Sequence, residues 1–473
     1  MKYYLGADIG TTGTKTMLFD ESGKAIGRGY KEYPLSMPFE GAYEQNPNDW
    51  YSSLKESIKE AIKGVECKIE AISLSAQGGS FFLADIVDGK IVPLCDALTW
   101  LDARAQEEFE ELKEKIAPED VYKITGWRLS RGSAVSRLNW IRKHQPDLLK
   151  KTKIILSTSD YINYLLTGKL VIDYTSAAMM GMFCVENREW DETLVSLAGI
   201  NKEMLPKLVP TGEYLGDVLP EIANDIGIND GVKFYAGAHD QYAASLGANY
   251  FGSNDLLVAT GTTWVLFGQS QQRTFGDNFF APCIHPMGGY GVITSAVSSG
   301  SVLSWEKELF RTDYDEINER VIETIPDENL LVYPFVAGNG YYRNGTHSYS
   351  VHNLALRHNS FDIIRASMEG VAFEIEKIVS LYTSCNISAD KIILSGGATR
   401  SKIWMKILAT VLNRDLYISN QADRCCFGAY SIARKNDLGE FVQFDFDGEV
   451  VSPDKNLLNF YRKKKDLYNE KFN

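Results

Sequence analysis

The 473-residue sequence has no apolar run near the ~18 residues that a membrane helix needs; stretches such as Leu256-Leu257-Val258-Ala259 stop far short. Cysteines are few: seven, an odd and scattered set (67, 95, 184, 283, 385, 425 and 426) without a CxxC pair. The six histidines show no HExxH spacing. The N-terminus lacks a secretory pattern, because Lys2 is followed at once by Tyr3-Tyr4-Leu5-Gly6-Ala7-Asp8, with a charge inside the apolar stretch. These absences predict a reduced, cytoplasmic protein with no membrane partner, and the adjacent Cys425-Cys426 reads as two small buried side chains ahead of a redox pair. Basic charge is in deficit as well. With 49 Lys and Arg against 62 Asp and Glu, the formal charge of −13 repels a phosphate backbone and argues against a nucleic-acid partner. What is present is ordinary for a globular chain. Hydrophobic residues at 44% and charged residues at 23% suffice for sizeable cores and exclude collagen-like, disordered and disulfide-scaffold classes. The length fits two large α/β domains or roughly three smaller ones.

Along the chain, Lys2 to Ile9 is apolar and β-prone, Gly10-Thr11-Thr12-Gly13-Thr14 is a turn, and Lys15 to Asp20 is apolar again. Glu21-Ser22-Gly23 then turns into Lys24–Tyr30, which predicts a meander. A helix follows: Asn46 at the cap, Pro47 at its first position, Trp50, Leu54, Ile58 and Ile62 on one face, and Gly64 closing it. Ile69 to Ser75 reads as a strand entering Ala76-Gln77-Gly78-Gly79, and Val232 to Ala236 as a strand before a helix over Gln241–Ala248. Residues 106–116 and 134–144 read as helices. At Gly261-Thr262-Thr263 the opening pattern returns, half a chain after Gly10-Thr11-Thr12. Both copies follow one apolar strand and lead into another, which predicts two related domains. Lys391 to Leu394 is a strand ending on Ser395-Gly396-Gly397, with a helix over Lys402–Leu412. A Lys-rich amphipathic segment from Asn456 to Asn473 is expected to be a surface helix.

The first turn is not a P-loop, since Thr14 rather than glycine precedes Lys15 and a strand follows where a helix is required. Nor is it a dinucleotide fingerprint, for the same reason. A Gly/Thr hairpin can still wrap phosphates with N–H and O–H donors, and Asp8 at the strand end suits the accompanying metal. The strand ending on Gly396-Gly397 and opening a helix offers free N–H groups to an anion or a planar ring. Asp240 stands at a strand end and helix start, where a helix cap is the plainer alternative to a base. His347, His352 and His358 fall in a Gly/Asn-rich loop over 338–359; spacings of five and six make no helix face, so loop packing is preferred to a metal site.

Taken in order, six motifs resemble the FGGY family of carbohydrate kinases, over nearly the whole chain. Asp8–Lys15 is similar to the family's DxGTxxxK loop, Glu44-Gln45-Asn46-Pro47 with Trp50 to its E-Q-x-P-x-x-W segment, and Trp100-Leu101-Asp102-Ala103-Arg104 to W-x-D-x-R. Gly237–Gly247 resembles the segment carrying the catalytic Asp, Thr260–Thr263 the second phosphate loop, and Ser395–Ser401 the adenosine loop. The resemblance implies an α/β fold of two ribonuclease-H-like domains, as in actin, hexokinase and Hsp70, around a central cleft. Residues 1–247 would hold the sugar site, first phosphate loop and catalytic acid, and 248–473 the second phosphate loop and adenosine site. It further implies ATP and Mg²⁺, with phosphoryl transfer to a hydroxyl of a small sugar or polyol, a pentulose such as xylulose foremost. Asp240 is then the general base and Asp8 the metal residue. ATP falls to Thr11, Thr12, Gly13, Lys15, Gly261, Thr262, Thr263, Gly300, Gly396, Gly397, Ala398 and Ser401, and the sugar to Gln77, Gly78, Trp100, Asp102 and Gln241. Many relatives are homodimers, although the residues themselves do not speak to that.

Two departures bear on substrate. Xylulokinases carry Met-His and glycerol kinases Arg-Glu where this chain has Gly78-Gly79, so neither clamp is present. Asp240-Gln241 does match the Asp-Gln of glycerol kinases, and Arg137 stands where Lys is usual, with little consequence expected if that position is structural. The competing reading is a non-catalytic sugar sensor or nucleotide switch on the same fold. A repressor-type sensor would need a helix-turn-helix ahead of Asp8, for which no room is expected, and a chaperone would need an added peptide-binding domain.

Overall fold

Tyr4, Leu5, Ala7 and Ile9 of the first strand are inaccessible to solvent, because Tyr3–Ile9 runs through the middle of a six-stranded sheet. The computed structural model describes residues 2–66, 68–248, 255–276, 279–337, 348–420, 423–441 and 446–472. The fold is α/β and forms two compact units. The first comprises Met1–Phe251, Pro282–Tyr290 and Asp423–Phe444; the second comprises Gly252–Ala281, Gly291–Ala422 and Asp445–Asn473.

In the first unit the strands are ordered Tyr214–Asp217, Lys233–His239, Ile69–Ala76, Tyr3–Ile9, Gly13–Asp20 and Ala25–Glu32. Tyr3–Ile9 and its two successors form the expected antiparallel meander, while Ile69–Ala76 and Lys233–His239 add in parallel. The register pairs Asp8 with Lys15 on one side and Ser75 on the other, and pairs Ala76 with both Ile9 and His239. Three strands therefore end at one edge, where Gly10, Gln77 and Asp240 emerge together. This carboxyl edge is where open α/β sheets present their chemistry.

The helix Pro47–Ala61 starts as its sequence dictates, with the Asn46 side chain accepting from Asn48 N and Pro47 at the first position. Trp50, Leu54 and Ile58 are buried against the sheet, and two buried threonines find hydroxyl partners on the helix, Thr14 with Ser53 and Thr16 with Ser57, each at 2.7 Å. The other face is covered by Arg424–Leu438, a helix from late in the chain. It lies so close that a Cβ on Gly6 would stand 2.0 Å from Cys426 O, and one on Gly428 1.8 Å from Ala243 O. Asp437, near its end, ties it to two strands through Lys2 Nζ (2.9 Å), Lys233 Nζ (2.5 Å) and Tyr4 Oη (2.9 Å).

The second unit repeats the plan. Leu256–Thr260 forms a hairpin with Trp264–Ser270, pairing Thr260 with Trp264, and runs parallel to Ile392–Ser395, which in turn runs parallel to Leu416–Ser419. Its core gathers around the 25-residue helix Ser360–Ser384, capped by reciprocal Asn359 and Asp362 bonds. The C-terminal segment differs from expectation. Leu458–Phe472 is helical, but Tyr461, Tyr468 and Lys464 are buried, and Lys464 Nζ meets Glu369 Oε2 at 2.5 Å. Its lysine stripe hid that one face docks.

Candidate functional site

The Gly10–Thr12 turn is closed by Gly10 N donating to Gly13 O (3.1 Å) and is braced by Tyr33, whose N–H donates to Thr12 O (3.3 Å) and whose hydroxyl donates to Gly10 O. Thr12 is exposed and Thr11 half-buried. The Thr11 carbonyl accepts from Gln45 Nε2 at 2.6 Å and its hydroxyl from Trp100 Nε1 at 2.9 Å. Lys15 is already paired, its Nζ 2.5 Å from Asp423 Oδ1; Arg28 shares that carboxylate at 3.3 Å.

Asp8 accepts from Ser75 Oγ at 2.7 Å. Burial pushes its carboxyl up, Ser75 opposes this, and the nearby Asp240 charge adds to the rise, leaving it at about 6. Two acids meeting at a strand edge suit a hard divalent cation, and Asp8 is the carboxylate at the turn. Asp240 opens the helix Asp240–Gly247 as its first residue, while His239 is at the cap without a side-chain capping bond. Asp240 Oδ1 is buried and has no hydrogen-bond partner in the chain. It stands 3.0 Å from His239 Nε2, and Cys425 Sγ lies 3.6 Å from Asp240 O. Burial, then the charges of Asp8 and its acidic neighbours, push the Cys425 and Cys426 thiols well up, which keeps both protonated and inert.

Gln77 is buried, donates to Gln45 Oε1 at 2.9 Å and leaves its own Oε1 without a partner. Trp100 is half exposed beside Thr11, so it is no core aromatic. Gln241 is partly exposed beside Asp240. Asp102 is fully buried and engaged: it accepts from Tyr43 N at 2.9 Å and meets Arg104 Nη2 at 2.8 Å. Arg104 continues to Glu44 at 2.5 Å and is stacked between Phe39 and Trp140, so the second and third motifs close on one another.

In the second unit the N-terminus of the helix Gly300–Phe310 abuts the Gly-Thr-Thr turn: a Cβ on Gly300 would lie 2.0 Å from Gly261 O, and Ser301 N donates to Thr262 O at 2.8 Å. Gly261 and Thr262 are exposed, and Thr263 partly so. Gly396 takes φ +114 with its α-carbon against Thr260, where a Cβ would meet Thr260 O at 2.8 Å, so only glycine fits. Gly397 faces open space, Ala398 follows in the short 3₁₀ turn Gly397–Arg400, and Ser401 caps the helix Lys402–Leu412 while donating to Asn318 Oδ1 at 2.5 Å.

Within the first unit, then, Asp8, the first turn, Gln77, Gly78, Trp100, Asp240 and Gln241 share an edge; within the second, Gly261–Thr263, Gly300 and Gly396–Gly397 do. Sequence reasoning missed Gln45, which links Thr11, Gln77 and Trp50, and Arg137, which donates to Leu98, Thr99 and Gly79 carbonyls from a fully buried position. Both lay inside quoted segments, and their spans across the chain were the hidden part. His358 bonds Ala355 N (3.0 Å) and Asp327 (3.0 Å), and His352 packs edge-on to Tyr333. His347 and Cys67 lie outside the described residues. Among those residues no cluster of three or more His, Cys, Asp or Glu could hold a metal, and no helix is long and apolar enough to cross a membrane.

The sequence matches the N-terminal domain of the FGGY family of carbohydrate kinases over residues 3–247 and its C-terminal domain over 256–434. It is 28% identical over 489 residues to a Bacillus subtilis (strain 168) protein named xylulose kinase, covering 99% of this chain and 96% of that one. A gluconokinase of the same strain is 29% identical over 469 residues, with coverage of 95% and 90%. The fold is that of the xylulose kinase of Rhodospirillum rubrum, with a TM-score of 0.92 at 24% identity over 99% of this chain and 98% of the other. The chain belongs to the FGGY family of carbohydrate kinases, ATP-dependent phosphotransferases that act on an alcohol group.

Proposed function

We propose that this chain phosphorylates a pentulose such as xylulose in a reducing cytoplasm, with residues 1–247 binding the sugar and 248–473 the adenosine end of ATP. The observation that carries this reading is Asp240, a carboxylate with a buried, unpartnered oxygen at the same strand edge as Asp8 and the Gly-Thr-Thr turn. Asp240 takes the proton as the hydroxyl attacks, an effect typically worth about 10²–10⁴-fold. Phosphoryl transfer otherwise asks for positioning and charge stabilisation. Thr11, Thr12, Gly13 and Lys15 from one turn, with Gly261, Thr262 and Thr263 from the other, give phosphate donors, while Gly300, Gly396, Gly397, Ala398 and Ser401 receive the rest of ATP. Asp8 would hold Mg²⁺, which when bound neutralises charge on the transferring phosphoryl group.

Gln77 and Gln241 bond sugar hydroxyls, and Trp100 lends a face to the C–H side of the acceptor. Asp102 acts through the clamp it forms with Arg104 and Glu44. Gluconate is a second reading, favoured by two relatives named gluconokinase at 29% and 28% identity. ADP release over a panel of pentuloses, tetritols, polyols and aldonates tests both. Turnover with xylulose tens of times above gluconate supports the first reading, the reverse order supports the second, and no acceptor-dependent ADP at all would favour a sensor.

A further inference from the structure

We infer that His239 is a positioning residue of the transfer site, holding the Asp240 carboxylate, and that position 78 is glycine because this imidazole fills the space a side chain there would need. The inference rests on Asp240 being the base. A Cβ at Gly78 would stand 2.4 Å from His239 Cδ2, 2.8 Å from His239 Nε2 and 2.5 Å from Met179 Cγ. Unlike Gly79, with φ +74, Gly78 has no left-handed backbone to explain it, so what it supplies is room. The seat is firm: His239 N donates to Thr175 Oγ1 at 2.8 Å, and Thr175 Oγ1 donates to Asp173 Oδ2 at 2.5 Å.

The ring itself is 94% buried at the side chain, with Nε2 3.0 Å from Asp240 Oδ1. Neither Asp240 Oδ1 nor His239 Nδ1 has a hydrogen-bond partner, so the contact is one of shape and polarity rather than an aligned hydrogen bond. A carboxylate with one free oxygen can swing, and a base must meet its proton within hydrogen-bond reach. The buried imidazole closes the space over Gly78 to that swing and offers a polar edge to the oxygen. Gly78 thus serves the acceptor site indirectly, by admitting His239, and the two positions work as a pair.

The test is steady-state kinetics of the full-length protein with its best acceptor, for His239→Ala, His239→Gln, Gly78→Ala and the Gly78→Ala/His239→Ala double variant, with folding checked by circular dichroism. His239→Ala is expected to lower kcat about 10²-fold, the cost typical of a misplaced catalytic group, with both KM values within about threefold. His239→Gln, whose amide reaches toward the Nε2 position, should recover most of that loss. Gly78→Ala should match His239→Ala, and the double variant should be little worse than either. An unchanged kcat in His239→Ala, a glutamine no better than alanine, or fully additive losses would overturn the inference. If the alanine variants do not fold, His239→Gln decides: kcat within a few fold of wild type supports it, and a 10²-fold loss refutes it. An Asp240→Asn protein run alongside separates the two claims: retained turnover there removes the base itself, whereas lost turnover with an intact His239→Ala removes only the positioning role.

Discussion

In the first unit the strand before the Gly-Thr-Thr turn delivers Asp8 opposite Lys15, whereas in the second the residues before and after the turn are Ala259 and Val265. The hydroxyls at the two edges differ in the same sense. Ser75 turns its hydroxyl on Asp8, but Thr260 turns its hydroxyl on the Ser395 carbonyl and leaves the edge to glycine. One hairpin plan has been given charged side chains in one copy and bare backbone donors in the other. A base and a metal site need carboxylates, while a nucleotide's phosphates and ring need close-approaching N–H groups, which glycine provides. The comparison teaches that chemistry resides in what replaces the common turn residues, not in the turn.

The comparison can be broken most severely at Asp8. Asp8→Ala should raise the Mg²⁺ concentration for half-maximal activity about 10–100-fold, the usual cost of losing a residue around a metal. Adding Ala259→Asp should not restore it. An unchanged Mg²⁺ titration would take the metal away from the first turn. Next comes the backbone side: Gly396→Ala forces a side chain to φ +114 and into Thr260 O, so the KM for ATP should rise about tenfold while that for sugar stays put. A rise in both would mean the loop does not belong to the nucleotide alone.

The smallest effect concerns the scaffold under the first edge. Burial pushes Asp437 up, but Lys233, Lys2 and Tyr4 outweigh this and hold it at about 2. A lowered carboxylate contributes stability above its unfolded value near 3.8, and this is lost as pH falls toward 2. Asp437→Asn should therefore cost about 1–2 kcal/mol in urea unfolding at pH 7, modest because both lysines can rehydrate, and the variant's stability should fall less between pH 4 and 2. An unchanged midpoint would remove Asp437 as a tie.

Much of this was legible in the residues. The meander, the helix behind Asn46-Pro47 and the two Gly-Thr-Thr turns follow from local periodicity and turn chemistry, which a sequence carries openly. Asp240 was placed at a strand end and helix start, although the cap fell on His239. Long-range packing was not legible. Nothing local shows that Arg424–Leu438 returns beneath the first strand, that Arg104 reaches back to Glu44, that Lys15 pairs with Asp423, or that Tyr461, Lys464 and Tyr468 turn inward from a lysine-rich helix. Each depends on a partner dozens to hundreds of residues away, where spacing carries no signal.

The central claim, that Asp240 strips the proton from an acceptor hydroxyl as ATP donates its phosphoryl group, is tested most directly by single-turnover phosphorylation with Asp240→Asn at saturating Mg²⁺, ATP and sugar. The account predicts unimpaired binding of both substrates with a transfer rate at least about 10²-fold below wild type. A rate within a few fold of wild type would contradict it.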